Sequence, residues 1–512
     1  AVAATGEFTA LFGGKEQTKA ALTLILQRVN AIFRAEVGVQ LDVVPGFDQM
    51  IFTNPATDPF TVQEPTVPLL DQAQRAFDNQ LGSTSYDLGM VFTKGLYGLA
   101  YLRSVCDPLR KGSSAVGFLS AATDDFHINL VAHELAHMFG ANHTFNSPTG
   151  LCAGRRIPGS AYEPGAGSTL MSYAGLPCST DVYQSVSDAY FHSESLREIF
   201  TFLASPSAHC GVIETVPSSG PFLNPGVERV IPVGTPFTLN VSASDPDGHT
   251  LTYTWEQRDL GPAQPLGGPD DGKVPLIRST PPSLQPARTI PNLADLAANR
   301  SNPTERLPTA NRRMNFRVTV REQGVPGGVS WADTSLIATN IAGPFEVTSH
   351  ATAGRITQQV GLTWSVAGTD RAPFNVPAVR ILMSTNGGLD FPVTLADSTP
   401  NDGAETVQLP ALNANAVRFK VEARDNVFFA INKANQQLIS GNVLVAEIAC
   451  TADALLISWA SKVGKAYSLQ RASGGRSFDW ATVQTITATE TRTSIAVPRE
   501  NTKSTFFRIL EK

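Results

Sequence analysis

The segment His133-Glu134-Leu135-Ala136-His137-Met138-Phe139-Gly140-Ala141-Asn142-His143 constrains this chain more than any other stretch. Two histidines four apart lie on one face of a helix, about 40° from each other. A helix that simply continued would carry His143 away from them. Gly140 removes the difficulty, because glycine takes positive φ readily and can turn the chain back. Three imidazoles then converge on one point, and neutral imidazole is the commonest metal ligand. Zinc takes about four ligands and keeps one position open for water where it is catalytic. Glu134, beside the first histidine, stands where it can accept that water's proton and pass it on to a leaving amine.

Histidine and cysteine are unevenly spread. Six of the eight histidines lie between His127 and His209, and four of the five cysteines between Cys106 and Cys210. Chemistry and cross-links therefore belong to the first part of the chain. A length of 512 residues is too great for one ordinary domain. Hydrophobic residues at 42% suffice for several cores, and 39 basic against 45 acidic residues leave no cationic excess for nucleic acid. No apolar run reaches the ~20 residues of a membrane-spanning helix.

Residues 1–212 mix periodicities. Residues 7–12 read as a short strand, 15–36 as an amphipathic helix, 37–44 as an alternating strand and 69–81 as a second helix. Residues 86–92 and 116–119 read as strands, and 126–139 as the helix carrying the first two histidines. The expectation is an α/β domain with a mixed twisted sheet. Beyond Cys210 the character changes. Residues 217–226 form a Pro/Gly/Ser linker. Short strand-like runs with turn signals follow, without a helical stretch, and predict about three all-β Ig-like sandwich modules. The expected divisions are residues 1–212, 213–345, 346–445 and 446–512.

The zinc-type segment resembles the metzincin clan of zinc endopeptidases. The clan's second mark, a methionine-containing turn under the metal, is matched by Ser168-Thr169-Leu170-Met171-Ser172-Tyr173. Within the clan, residues 1–212 are most similar to the reprolysin (adamalysin-like) family. The resemblance rests on Tyr86-Asp87-Leu88-Gly89-Met90-Val91-Phe92, on Gly98-Leu99-Ala100-Tyr101, on Cys106 and on Ser114-Ala115-Val116-Gly117-Phe118. It implies His133, His137 and His143 as zinc ligands, Glu134 as general base and Met171 as the floor beneath the histidines. It implies that residues 98–101 form the edge strand that pairs with substrate, and that Cys106 bonds Cys210, leaving Cys152 for Cys178. It also implies a candidate calcium site at Glu7, Asp87 and the Cys210 carbonyl, structural carboxylates being the other reading, and Gly211-Val212-Ile213 stands where the family usually carries Asn. The sequence departs from the family in two further places. Thr144 stands where reprolysins usually carry Asp, and Tyr173 follows Met171-Ser172 where they usually carry Pro. Met-Ser-Tyr is similar instead to serralysins and astacins, which makes Tyr173 a candidate fifth ligand or oxyanion donor. The other reading of Tyr173 is a buried tyrosine with a satisfied hydroxyl.

Disulfides imply an oxidising, extracellular compartment. Cys450 reads as a buried free thiol, and His192 and His209 as structural or surface residues. Asp124 and Asp125 suit the N-terminus of the histidine helix. In the first β-module, Asp245-Pro246-Asp247-Gly248 resembles the turn of PKD and cadherin-like modules. An Asx-type turn is the leading reading there and a calcium site the other. Trp255 reads as a sandwich-core residue. The second β-module resembles Ig-like domains of bacterial secreted metalloproteases, and the last a fibronectin-III-like cap. The leading expectation is a secreted zinc endopeptidase acting on protein or peptide substrates, its β-modules docking to cell-surface or matrix ligands. The alternative is a surface-binding or adhesion protein in which the β-modules carry the main function. The intact Glu134 counts against it, because an inactive protease is free to lose that residue.

Overall fold

In the N-terminal domain, a buried sheet separates two helical layers. Its strands are β1 (Val2–Ala4), β2 (Met90–Lys94), β3 (Gly98–Ala100) and β4 (Ser114–Phe118), in the order β1-β2-β4-β3. β1, β2 and β4 run parallel, and β3 pairs antiparallel on the edge. β4 is buried at every position, as expected of a parallel strand covered on both faces. The helices are α1 (Gly6–Leu11), α2 (Lys15–Val37), α3 (Val67–Leu81), α4 (Asp125–Met138) and α5 (Ser193–Leu203). Met90 and Phe92 of β2, with Val116 and Phe118 of β4, face Leu22, Ile25, Val29 and Phe33 of α2 and Val131, Leu135 and Met138 of α4. Val91 and Ala115 face the other way, onto Leu69, Leu70, Ala73 and Phe77 of α3. The domain is α/β with a mixed sheet. The computed structural model describes residues 1–439, 446–473, 480–498 and 505–511.

Three local expectations are corrected. Residues 7–12 are helical, because Thr5 Oγ1 caps Phe8 N at 3.3 Å and the strand beside β2 is formed by Val2–Ala4 instead. Residues 37–44 form no strand. α2 runs through Val37 to a left-handed Gly38, and the Asn30 side chain takes both backbone groups of Leu41, at 2.9 and 3.1 Å. Their alternation serves packing, since Val39 and Leu41 lean on the core without a strand partner. The strand expected from residue 86 begins at Met90, the Tyr86 hydroxyl being drawn to Asp78 at 2.8 Å.

The chain divides into two compact units. The first contains Ala1–Phe345, with Ala367–Val376 and Asp425–Phe429. Its β-module is built from β5 (Phe222–Asn224), β6 (Arg229–Pro232), β7 (Phe237–Asn240), β8 (Ser242–Ser244), β9 (Leu251–Gln257), β10 (Ala287–Ile290), β11 (Arg312–Glu322) and β12 (Val329–Thr339). A sheet in the order β6-β12-β11-β9 lies opposite the β7-β10 ladder, with Phe237 against Phe316 at 5.9 Å. Trp255 is buried in this module. A short helix, α6 (Leu293–Ala297), corrects the expectation of none, and Asn292 caps it.

This module is fastened to the N-terminal domain. Arg321 of β11 pairs with both oxygens of Glu36 of α2 at 2.6 and 2.8 Å, with both side chains nearly dry. Glu256 accepts from Ser193 N, and Arg258 pairs with Glu194. The second unit holds the remaining β-structure. One of its sheet pairs comprises the strands Glu346–Val347, Gln359–Ser365 and Ala404–Gln408, and a larger sheet around Ala378–Ser384 and Ala414–Ala423. In the last module, Ile457 and Trp459 of one sheet share a core with Tyr467 and Leu469 of the other. The β-modules are thus all-β, two-sheet structures. The expected division at residue 445 falls outside the described residues. Cys450 is exposed, contrary to expectation, because it ends an edge strand, Ala446–Cys450, that is exposed throughout.

Candidate metal centre and active-site cleft

α4 starts where Asp124 accepts the backbone N–H of His127 at 3.1 Å. His133 and His137 project from one face, with ring centres 4.7 Å apart. The helix stops at Gly140, whose φ of +97° lets its N–H reach His137 O while Ala141 N–H reaches Ala136 O. A side chain at Gly140 would be strained in that conformation. The turn returns His143, whose ring centre lies 4.8 Å from that of His137 and 5.2 Å from that of His133.

The tautomers are set by the backbone. His133 Nδ1 lies 2.7 Å from Leu170 O, His137 Nδ1 2.7 Å from Ala141 O, and His143 Nδ1 2.9 Å from Arg155 O. A carbonyl only accepts, so each Nδ1 carries the proton and each Nε2 presents a lone pair. His137 Nε2 and His143 Nε2 then stand 3.1 Å apart with no proton between them. Such an arrangement calls for a cation, and all three ligating nitrogens lie within 4.8 Å of one another. Burial holds the His137 and His143 imidazoles down to about 4 and about 3, and His133 well below its usual range. Neutral imidazoles on this spacing fit zinc.

Two buried carboxylates support the centre, and neither was foreseen. Glu163, 1% exposed, accepts from the hydroxyls of Thr144 and Thr169 at 2.6 Å and from Ser168 N at 2.7 Å. It ties the segment after His143 to the turn containing Met171, whose carbonyl accepts from Thr144 N. Thr144 occupies the position of the family's usual Asp, and here the carboxylate comes from Glu163. Glu198 of α5 holds Asn142 through two bonds of 2.7 Å. Neither has a sequence signal, since no motif joins Glu163 to partners 5 to 19 residues away or Glu198 to Asn142, 56 residues away.

Met171 is fully buried and belongs to the core that contains α4. Its neighbour Leu170 provides the carbonyl that orients His133. Glu134 is 4% exposed, and burial pushes its carboxyl up to about 8. A Cβ on Gly98 would come within 2.4 Å of Glu134, so β3 passes over this carboxyl only because residue 98 lacks a side chain. The Tyr173 ring lies 4.7 Å from that of His143, and burial raises its hydroxyl pKa. Glu134, Tyr173 and the three histidines line a cleft of about 550 Å³ together with β3, Leu151, Ile157 and Leu176.

Cys106 is bonded to Cys210, and Cys152 to Cys178. The second bridge packs with Phe145 beneath Tyr173. Glu7 and Asp87 belong to neither group of three or more metal-ligating side chains among the described residues. Asp87 O accepts from Cys106 N, and Glu7 leaves one buried oxygen unpartnered. His192 is buried and caps α5 through Nδ1. No described helix is long and apolar enough to cross a membrane.

The first β-module bonds residues adjoining those that line the cleft. Pro262 O accepts from Asn146, Gly261 O from Arg156, and Ser279 O from Ser168.

Among solved structures, the N-terminal Ig1-2 module of the Drosophila receptor protein tyrosine phosphatase DLAR is 12% identical. It matches 43% of this chain and 98% of its own, with a TM-score of 0.23. The FN1-FN3 domains of chicken CNTN1 are 11% identical and match 57% of this chain and 91% of their own, with a TM-score of 0.15. At such scores the likeness carries no argument, and the two-sheet architecture rests on the strand pairing itself. No curated protein matches the chain. The family described as metallo-peptidase family M12B, reprolysin-like, matches residues 1–197. Residues 1–197, which carry the metal-fitting triad of imidazoles in a cleft, are thus similar to the reprolysin-like M12B metallopeptidases.

Proposed function

We propose that this chain is a secreted zinc endopeptidase that hydrolyses internal peptide bonds of protein substrates. The observation that carries the reading is the triad of imidazoles whose Nδ1 atoms all face backbone carbonyls, freeing three converging Nε2 atoms. A zinc ion held there supplies Lewis acidity toward the scissile carbonyl and lowers the pKa of the attacking water. The open edge of β3 pairs with an extended substrate as an added strand. Glu134 takes the water's proton and returns it to the departing amine, a task suited to a carboxyl that titrates near neutrality. Tyr173, kept protonated by burial, donates to the carbonyl oxygen as charge develops there. Two disulfides favour an oxidising, extracellular setting. In this reading the protease domain spans residues 1–212, and modules at 213–345, 346–445 and 446–512 serve placement on substrate or surface.

The test is cleavage of denatured casein by the wild type and Glu134→Gln, each with its zinc content measured. The expected result is chelator-sensitive cleavage by the wild type and a loss of ~10²–10⁴-fold in the variant at unchanged zinc content. A wild type that holds zinc but cleaves no protein or peptide sinks the peptidase reading and turns attention to what the β-modules bind.

A further inference from the structure

Away from the cleft, the first β-module contains a second group of metal-ligating side chains. Asp245 follows β8, His249 precedes β9, and Glu322 ends β11. His249 Nδ1 lies 3.2 Å from Asp245 Oδ1 and 3.4 Å from Glu322 Oε1. The Asp245 and Glu322 side chains are each 3% exposed, and His249 is 30% exposed at the rim. Ligands about 2.0–2.1 Å from a tetrahedral zinc stand about 3.3 Å apart, which is the spacing of the two pairs that include His249.

The Asx turn does not account for the group. Asp245 Oδ1 already accepts from Asp247 N and His249 N, both at 2.9 Å. Asp245 Oδ2 is buried and no N–H or hydroxyl donates to it. A protonated His249 lodged between two carboxylates satisfies Oδ1 and Glu322 Oε1, and the Asp245 and Glu322 carboxyls also lie within hydrogen-bonding reach of each other, a contact that needs a shared proton or a cation. Buried carboxylate oxygens without a partner are rare, and a bound cation is one cause. One imidazole with two carboxylates suits zinc, whereas calcium takes six or more oxygen ligands.

We propose that Asp245, His249 and Glu322 form a second zinc site, separate from the triad on α4, with solvent completing the coordination at the exposed rim. The site lies against the linker that leaves the N-terminal domain. Ser218 Oγ donates to Glu322 Oε1 at 2.6 Å, and Ser219 N to Asp247 Oδ2 at 2.7 Å. Zinc here acts as a clasp, fixing the linker to the turn after β8 and to the end of β11.

The test reads metal content and not activity, so it stands or falls apart from the peptidase reading. Full-length protein is stripped with a chelator, equilibrated with Zn²⁺ and analysed for metal per chain. Two zinc ions are expected for the wild type, and one each for His249→Gln, Glu322→Gln and His137→Ala. Casein cleavage is expected to be unchanged in the first two variants. Zinc is expected to slow proteolysis of the linker around residues 213–221 in His137→Ala but not in His137→Ala/His249→Gln. A wild type that holds a single zinc overturns the proposal, and this measurement needs no variant to fold. It is equally overturned if His249→Gln and Glu322→Gln both retain two zinc ions, or if Ca²⁺ fills the site and Zn²⁺ does not.

Discussion

Each imidazole of the triad is aimed by a backbone carbonyl. The same burial gives the metal-free protein a defined response to acid. The three histidines have folded-state pKa values below the unfolded value of about 6.5, so the unfolded chain binds more protons below that pH. Their contribution to stability is present above pH ~6.5 and is lost on acidification toward about 4 and about 3. Glu134 acts in the opposite sense. Its carboxyl is raised to about 8, so between pH ~8 and ~4.5 the folded state holds the extra proton and acid favours folding. Between pH 6.5 and 4.5 the three imidazoles outweigh the one carboxyl, and stability falls with acid. Glu134→Gln removes the opposing group, so metal-free Glu134→Gln should lose melting temperature more steeply over this window than metal-free wild type. Equal slopes by calorimetry would show that Glu134 is not held protonated by its surroundings.

At the scale of elements, two features carry the argument, and only one could be read in advance. The helix of α4 and the break at Gly140 were legible because every residue involved lies within one short segment. The edge position of β3 was expected only by resemblance, and the reason for glycine at 98 emerged from the packing. Gly98→Val sets a side chain into Glu134, which has to move. The expected outcome is a fall in kcat/KM of ~10²-fold or more with zinc content unchanged, because misplacing a catalytic group by about 1 Å costs about that much. Loss of zinc along with activity would mean that β3 supports the fold and not Glu134. The Glu36–Arg321 pair joins α2 to β11 and was invisible in the sequence, because its members lie 285 residues apart. Arg321→Ala leaves a buried carboxylate without its partner, a change that typically costs ~3–5 kcal/mol. Glu36→Gln/Arg321→Met should recover much of that loss in denaturant unfolding. If the double variant is no more stable than Arg321→Ala, the pair is not what Arg321 contributes.

For the whole molecule, the two compact units set what can be removed. The first β-module shares the unit of the N-terminal domain, and its loops bond Asn146, Arg156 and Ser168 behind the segments that line the cleft. A chain ending at residue 212 exposes Glu36 and the carbonyl-binding side chains that the module covers. It is expected to lose most casein cleavage and to melt well below a chain ending at residue 345, which keeps these contacts. Equal activity and melting temperature for the two truncations would show that the module is a passenger.

The convergence of the three histidines was legible before folding. The spacing of His133, Glu134, His137, Gly140 and His143 is local, so helix geometry and glycine's conformational freedom are enough to bring the residues together. The sequence misread residues 7–12 and 37–44, because a helix cap at Thr5 and a side-chain clasp from Asn30 compete with strand periodicity and leave only weak marks. The tertiary structure alone decided what holds the centre in place: Glu163 under the Met171 turn, Glu198 on Asn142, and Arg321 reaching Glu36. These groups act through buried hydrogen bonds and, for Arg321 and Glu36, through charge pairing between segments 285 residues apart. Neither quantity exists until the chain has folded.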